Sequence, residues 1–385
     1  MFRLFLLSAA LQAAIASFST YLQIALRNKG YAHSLVGILM AVSQLAAIMI
    51  PLAISVLADR SGRAKRYIVL SGICALIASL PFFLSENVAI VVVSLVFLNG
   101  FIWCMNPLSD GFINRKVSGD SSQYGIIRAF GTLSYVAVLS AFAILSFPDE
   151  GNNSSIMRSF LLFISIFIAI SAIQRDYEGE SRKEKKSFSL SMFSGKFYLY
   201  MVIVALLKIS ISVIDKLLPS YMTEELGLGS HFTAFIALGA LFEFFSMIIF
   251  GRLLDKGRFS GYSALFISAI ALVVRFSLFL IPGIIPFAIA ETLHGLTFGV
   301  LHVGALRFIS DNSDPADYEV AATVYWAAAS NLPGLFASLF GGLIIDNYGF
   351  RTLFGVSLIF PIIAMIIASS LKNRLTATAS CADSR

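Results

Sequence analysis

Apolar runs of about twenty residues recur from one end of this sequence to the other, separated by short polar turns. A bilayer core about 30 Å thick needs about 20 such residues per helix. In lipid, each helix must satisfy its own backbone N–H and C=O groups. Twelve stretches qualify: 4–26, 34–57, 67–84, 88–110, 124–147, 157–173, 197–222, 231–253, 261–281, 283–307, 320–345 and 352–371. Membrane-barrel strands alternate in polarity over about ten residues and never give runs this long. The fold class read from the pattern is an all-α membrane protein with twelve transmembrane helices.

Composition agrees. Charged residues make up 13% of the 385, against about 25% in soluble domains. Hydrophobic residues reach 58%, more than a soluble fold of this size can hide. An ordinary cytosolic enzyme, a disordered chain and a secreted disulfide scaffold are excluded. Cys74, Cys104 and Cys381 form no pattern, and no Cys/His cluster has metal-ligand spacing, so neither metal nor cofactor is expected. The net charge of +6 sits in short loops between apolar runs. That placement fits topology signals, not nucleic-acid binding.

Twelve spans put both termini on one side, and Lys and Arg choose the side. Arg3, the group Arg60, Arg63, Lys65 and Arg66, the pair Arg115 and Lys116, and the basic run of 174–196 all fall on one face. Arg27, Lys29, Arg158 and Arg351 fall on the other. Both ends are therefore expected in the cytoplasm, with the chain multi-pass in the cell inner membrane. A competing reading takes Arg3, the following apolar run and Ala14-Ile15-Ala16 as a cleavable signal. The run continues to Leu26, too long for such a signal, and cleavage would break the even span count.

The longest polar stretch, 174–196, has no apolar period and reads as a cytoplasmic linker. It separates an N-terminal six-helix bundle at 1–173 from a C-terminal bundle at 197–371, followed by a tail at 372–385. A weak internal repeat supports the division. Ser55-Val-Leu-Ala-Asp59-Arg60-Ser-Gly62-Arg63 follows span two, and Gly251-Arg-Leu-Leu-Asp255-Lys256-Gly257-Arg258 follows span eight. In each copy an acid ends a helix, Gly permits a tight turn, and basic residues stay on the cytoplasmic side.

The Asp-Arg-x-Gly-Arg loop, in a chain of this layout, resembles the major facilitator superfamily. Ser55 stands where that motif usually has Gly, and the second copy is one residue short. The resemblance implies the major facilitator fold, a transporter that usually acts as a monomer, and loops that help close one face. Asp59, Arg60, Gly62, Arg63 and Asp255 are the gating residues it implies.

Ionisable groups deep in lipid cost at least ~2.5–3.5 kcal/mol on insertion scales, so they mark a pathway or a pair. The interiors of spans one to six hold none. The second half holds Lys208, Asp215, Lys216, Glu243, Arg275 and Glu291, with His294 and His302. On an ideal helix Glu291 and His302 fall within about 20° of each other, with His294 one turn from Glu291, so span ten is expected to carry one polar stripe. Lys208 and Asp215 lie seven residues apart, about 10 Å of helix rise, too far to pair directly. Lys216 with Glu291 is an expected interhelical pair.

Asp110-Gly-Phe-Ile and Tyr124-Gly125-Ile-Ile-Arg128-Ala-Phe130-Gly131 resemble the lactose permease branch and the related phenylpropionate permease group. There an acid and an arginine eighteen residues later clasp the sugar, and an aromatic stacks on it. The resemblance thereby implies Asp110, Arg128 and Tyr135 as substrate-site residues. It adds Glu243 and His294 for substrate, and Arg275 and Asp215 for proton coupling. The chain departs from lactose permease at Glu291, where that branch has lysine, and at Thr297, where it has its coupling carboxylate. Leu293-His294-Gly295-Leu-Thr297-Phe298-Gly299 is closer to the phenylpropionate permease pattern.

The expected function is proton-coupled symport of a small organic solute by alternating access, with a sugar, a nucleoside or an aromatic carboxylate as the substrate. Burial favours the protonated form of an acid and a nearby guanidinium favours the carboxylate. Movement of Arg275 would therefore load and release a proton. Glu291 is the expected acid, with His294 as relay and Glu243 as second choice. Proton-coupled efflux is the alternative, but that branch usually carries a Gly-Pro signature in span five, and Arg128-Ala-Phe-Gly-Thr-Leu-Ser-Tyr135 contains no Pro. A non-transporting sensor would need a soluble module or long output tail. A membrane enzyme would need a nucleophile–base pair or a metal cluster. The expected partners are the small-molecule substrate, protons and the lipid bilayer.

Overall fold

The computed structural model describes residues 1–61, 63–117, 121–145, 152–175, 193–313, 321, 324–325, 328–329 and 332–369. Gly62, most of the expected linker (176–192) and the expected tail (372–385) lie outside these residues, as do the side chains of Asp59, Arg60 and Asp255. Among the described residues the regular structure is helical throughout.

Among the described residues, eleven helices are long and apolar enough to cross a membrane. The first ten correspond one to one with the first ten expected spans, from Phe2–Arg27 to Ile284–Asn312. The eleventh, Leu332–Ser369, runs through the boundary expected between the last two spans. It bends at Gly349, whose φ of 78° and ψ of 172° are not helical. Glycine takes this left-handed φ without the Cβ clash that other residues suffer. Several spans contain internal prolines, Pro51, Pro81, Pro107 and Pro219. Neighbouring helices can re-satisfy the carbonyl each one frees.

The chain divides into two compact units. The first comprises Met1–Lys186 with Met222–Ala234. Its helices are α1 (Phe2–Phe18), α2 (Leu22–Arg27), α3 (His33–Ser61), α4 (Ala64–Leu84), α5 (Val88–Lys116), α6 (Ser121–Ile144) and α7 (Asn153–Ala172). α5 packs on α3 and α4, α1 on α6 and α7, and α4 on α7. The α1–α6 approach is close because Gly131 faces Ser8, where a Cβ would collide with its hydroxyl. Small residues at lipid-embedded crossings do this generally, since packing replaces the hydrophobic drive.

Loop contacts identify the ends of this unit. Lys29 Nζ donates to Phe83 O at 3.2 Å and Ser85 O at 2.8 Å, joining the corner after α2 to the corner after α4. Burial pushes the Lys29 ammonium down, and Glu86 pulls it partly back. At the other end, Gln174 Nε2 donates to Arg3 O at 2.9 Å. The amino terminus and the exit from α7 therefore share one end of the unit.

The second unit comprises Ser187–Tyr221 and Phe235–Arg385. Its helices are most of α8 (Gly195–Glu224) and of α9 (Phe232–Asp255), with α10 (Gly261–Phe279), α11 (Ile284–Thr292), α12 (Val300–Asn312) and α13 (Leu332–Ser357). α10 is its hub, in contact with α11, α12 and α13. Gly257, after α9, has φ 66°, so the turn there uses glycine's conformational freedom.

Candidate functional site

Span ten, read as one regular helix, is interrupted. α11 and α12 are joined by a π-helical turn at Gly295–Gly299. A π turn inserts about one residue and frees a carbonyl, so it needs a local reason. The reason here is close packing. A Cβ on Gly295 would strike Phe242 O and the Ser246 hydroxyl of α9, and Gly299 lies against Glu243 O. Ser268 Oγ on α10 donates to Leu296 O at 3.0 Å, satisfying one carbonyl of the turn. α9, α10 and the π turn thus meet where the ionisable residues are.

Arg275 on α10 is 0% exposed. Its NH2 donates to Glu291 Oε1 at 2.9 Å, and its NH1 donates to Thr297 Oγ1 at 3.2 Å. NH1 also lies 3.1 Å from His294 Nδ1. A guanidinium only donates, so Nδ1 is the acceptor and the ring proton sits on Nε2. Nε2 in turn donates to Glu243 Oε2 at 3.1 Å. Glu291, 3% exposed, faces Gly239 of α9, which has no side chain to exclude it. The chain Glu291–Arg275–His294–Glu243 is continuous across α11, α10, the start of the π turn and α9. Arg275 Nε has no partner among the described residues, so the guanidinium keeps a spare donor.

Two details differ from expectation. Glu291 pairs with Arg275, and among the described residues no ion pair joins it to Lys216, because Arg275 reaches it first from α10. The stripe is also redrawn. The extra residue of the π turn rotates the later residues of the span by about 100°, so Glu291 and His302 do not share a face. Instead His294, Phe298 and His302 stack ring on ring, at 5.7 and 5.9 Å between centroids. His302 Nδ1 lies 2.7 Å from the Tyr325 hydroxyl. Lys208 Nζ sits 3.5 Å from the centre of the Phe298 ring. Asp215 is exposed, two turns further along α8 than Lys208.

In the first unit, Arg128 NH1 lies 3.6 Å from Asp110 Oδ1, both partly exposed. Tyr135 OH lies 3.0 Å from Thr20 Oγ1 of the turn after α1. Gln12 Nε2 donates at 3.3 Å to Oδ1 of Asn106, one turn before Asp110 on α5. Arg63 is exposed at the start of α4, its N–H donating to Ser61 Oγ at 3.3 Å. Sequence reasoning missed one cluster. Glu224, grouped with this unit, accepts from Arg27 Nε at 3.1 Å and pairs with His33 Nε2 at 2.9 Å. All three stand at helix ends, where a charge looks like ordinary interface decoration. Among the described residues no group of His, Cys, Asp and Glu is arranged to hold a metal ion.

A multi-pass helical protein with a buried network of this kind belongs to the class of membrane transporters. The chain belongs to the MFS_1 like family, whose model matches residues 3–356. The structure is similar to a point mutant of the nucleoside transporter NupG, with a TM-score of 0.83 at 13% identity over 97% of this chain and 98% of that one. It is similar to a bacterial homolog of the human lysosomal transporter Spinster in an inward-facing, unoccupied conformation (TM-score 0.71, 14% identity, 95% of each chain). A peptide transporter POT variant in complex with alafosfalin gives 0.70 at 13% identity over 96% and 94%. No curated protein matches the sequence. The protein is thus a major facilitator transporter, not an enzyme.

Proposed function

We propose that the protein is a proton-coupled symporter that imports a small organic solute by alternating access. In this reading it has twelve spans in two six-helix bundles, both termini lie in the cytoplasm, and it acts as a monomer in the cell inner membrane. The observation that carries the coupling is the chain Glu291–Arg275–His294–Glu243, buried at Glu291 and Arg275 and part-buried at His294 and Glu243. One carboxylate and an imidazole are held on one permanent cation, and a second carboxylate is held on the far side of the imidazole. Ionised Glu291 is compensated only while Arg275 stays in reach; when the guanidinium swings away, a proton is the remaining compensation. His294 Nδ1 can take a proton only after Arg275 has left it, because its lone pair is occupied. One displacement of Arg275 would therefore open two proton acceptors together. The unused Arg275 Nε–H offers the incoming partner a donor.

Asp110, Arg128 and Tyr135 are the proposed substrate contacts of the first unit, and Glu243 and His294 those of the second. Asp59, Arg60, Gly62, Arg63 and Asp255 are proposed to close one face, and Asp215 to assist coupling. The fold shared with a nucleoside transporter and a peptide transporter supports a polar organic solute. The test is uptake of radiolabelled solutes into proteoliposomes with and without an inward proton gradient. Gradient-driven accumulation, abolished by a protonophore, is expected. Uptake indifferent to the gradient would reduce the protein to a uniporter, and proton-driven export would make it an antiporter.

A further inference from the structure

We propose that Lys208 is the anion-recognition point of the transported solute, so that the substrate class is a small organic acid bearing a carboxylate. This rests on the transporter reading above but not on its proton coupling. Lys208 lies on α8 and is 3% exposed. Its ammonium lies over the face of Phe298, 3.5 Å from the ring centre, and among the described residues neither an ion pair nor a hydrogen bond reaches it.

Burying an ammonium is costly, and the cost is normally met by an anion in contact. A ring face meets only part of it. Among the described residues no nearby carboxylate forms an ion pair with Lys208. Glu243 and Asp215 act on Lys208 electrostatically. Glu243 is bonded to His294 through Oε2, and Asp215 is exposed two turns further along α8. Arg275 and Arg128 already have carboxylate neighbours, Glu291 and Asp110. Among the described residues, Lys208 is therefore the buried cation of this network that lacks an anion of its own.

Its position is also fixed. Phe298 is held between the His294 and His302 rings, and His302 is anchored to Tyr325. Phe298 thus presents its face to the ammonium on a stack tied to the coupling chain at His294. A carboxylate arriving at Lys208 would complete the missing ion pair beside the residues that exchange the proton.

The experiment uses the purified full-length protein and matched probes: benzoate and 3-phenylpropionate against benzamide and 3-phenylpropionamide, with uridine as a neutral polyol. Thermal-shift and calorimetric titrations report binding. The acids are expected to bind and stabilise, and the amides to bind at least about tenfold more weakly, since a buried charge pair is lost. Lys208→Met is expected to weaken acid binding by a similar factor, and Lys208→Arg to restore part of it. Should Lys208→Met fail to fold, the acid–amide comparison on the unaltered protein decides. Equal binding of acids and amides would overturn the proposal. So would uridine binding in place of the acids, or acid binding unchanged in Lys208→Met. Lys208-dependent binding combined with gradient-indifferent uptake would keep this proposal and remove only the coupling.

Discussion

Arg275 is the residue on which the C-terminal network turns, and its removal separates structure from function. An uncompensated buried carboxylate is what Arg275→Ala leaves at Glu291. Breaking such a pair from one side costs about 3–5 kcal/mol. Thermal unfolding in detergent should show a large drop for Arg275→Ala. The double variant Arg275→Met with Glu291→Met should recover most of it, since apolar residues of similar volume replace both charges. A double variant as unstable as the single one would show that the pair is not the source of the loss. Glu291→Gln keeps the shape and a hydrogen-bond acceptor for Arg275 but cannot release a proton. It should retain substrate exchange across a membrane at equal concentrations while losing uphill accumulation. Unchanged accumulation would take Glu291 out of the mechanism. These side chains are legible from sequence because a charge inside an apolar run stands out. Their partners are not: Lys216 looks as able to reach Glu291 as Arg275 does, and only the helix arrangement decides between them.

The element that sequence reading misplaces is span ten. Gly295 and Gly299 sit in an apolar run whose period is compatible with an unbroken helix, and nothing local announces a π turn. The cause is tertiary: α9 approaches so closely at Phe242 and Ser246 that only glycine fits opposite. Across the turn the rings of Phe298 and His302 stack in line with His294. Gly295→Ala would put a methyl group into the Phe242 carbonyl. The substitution should lower the melting temperature and impair transport together, as α9 is pushed away from the turn. Gly355→Ala on α13 is the control, because a Cβ there meets nothing. Replacing a helical glycine by alanine in open space stabilises by about 0.5–1 kcal/mol. If Gly295→Ala behaved like Gly355→Ala, close packing would not be what maintains the π turn. The boundary at Gly349 is easier to read, since a polar Asp-Asn-Tyr-Gly segment separates two apolar runs.

At the scale of the whole chain, orientation depends on where the cations fall, and the contacts within the first unit agree with an even alternation of its helices. Lys29 binds the loop at 83–85, so two loops expected on one face lie at one end of that unit. Arg3 and Gln174, expected on the opposite face, meet at the other. Which end is cytoplasmic is decided by the basic residues, since Lys and Arg resist translocation. Labelling from outside the cell tests this directly. Glu86, on the loop after α4, and Lys196, in the first turn of α8, are both exposed, at ends assigned to opposite faces. In a background where Cys74, Cys104 and Cys381 are replaced, Glu86→Cys should react with a membrane-impermeant maleimide in intact cells. Lys196→Cys should react only after permeabilisation. The reverse pattern would invert the topology, and with it the direction in which a proton gradient drives the solute. Reaction of both sites in intact cells would put the linker outside, and the pairing of two like-oriented six-helix halves would fail with it.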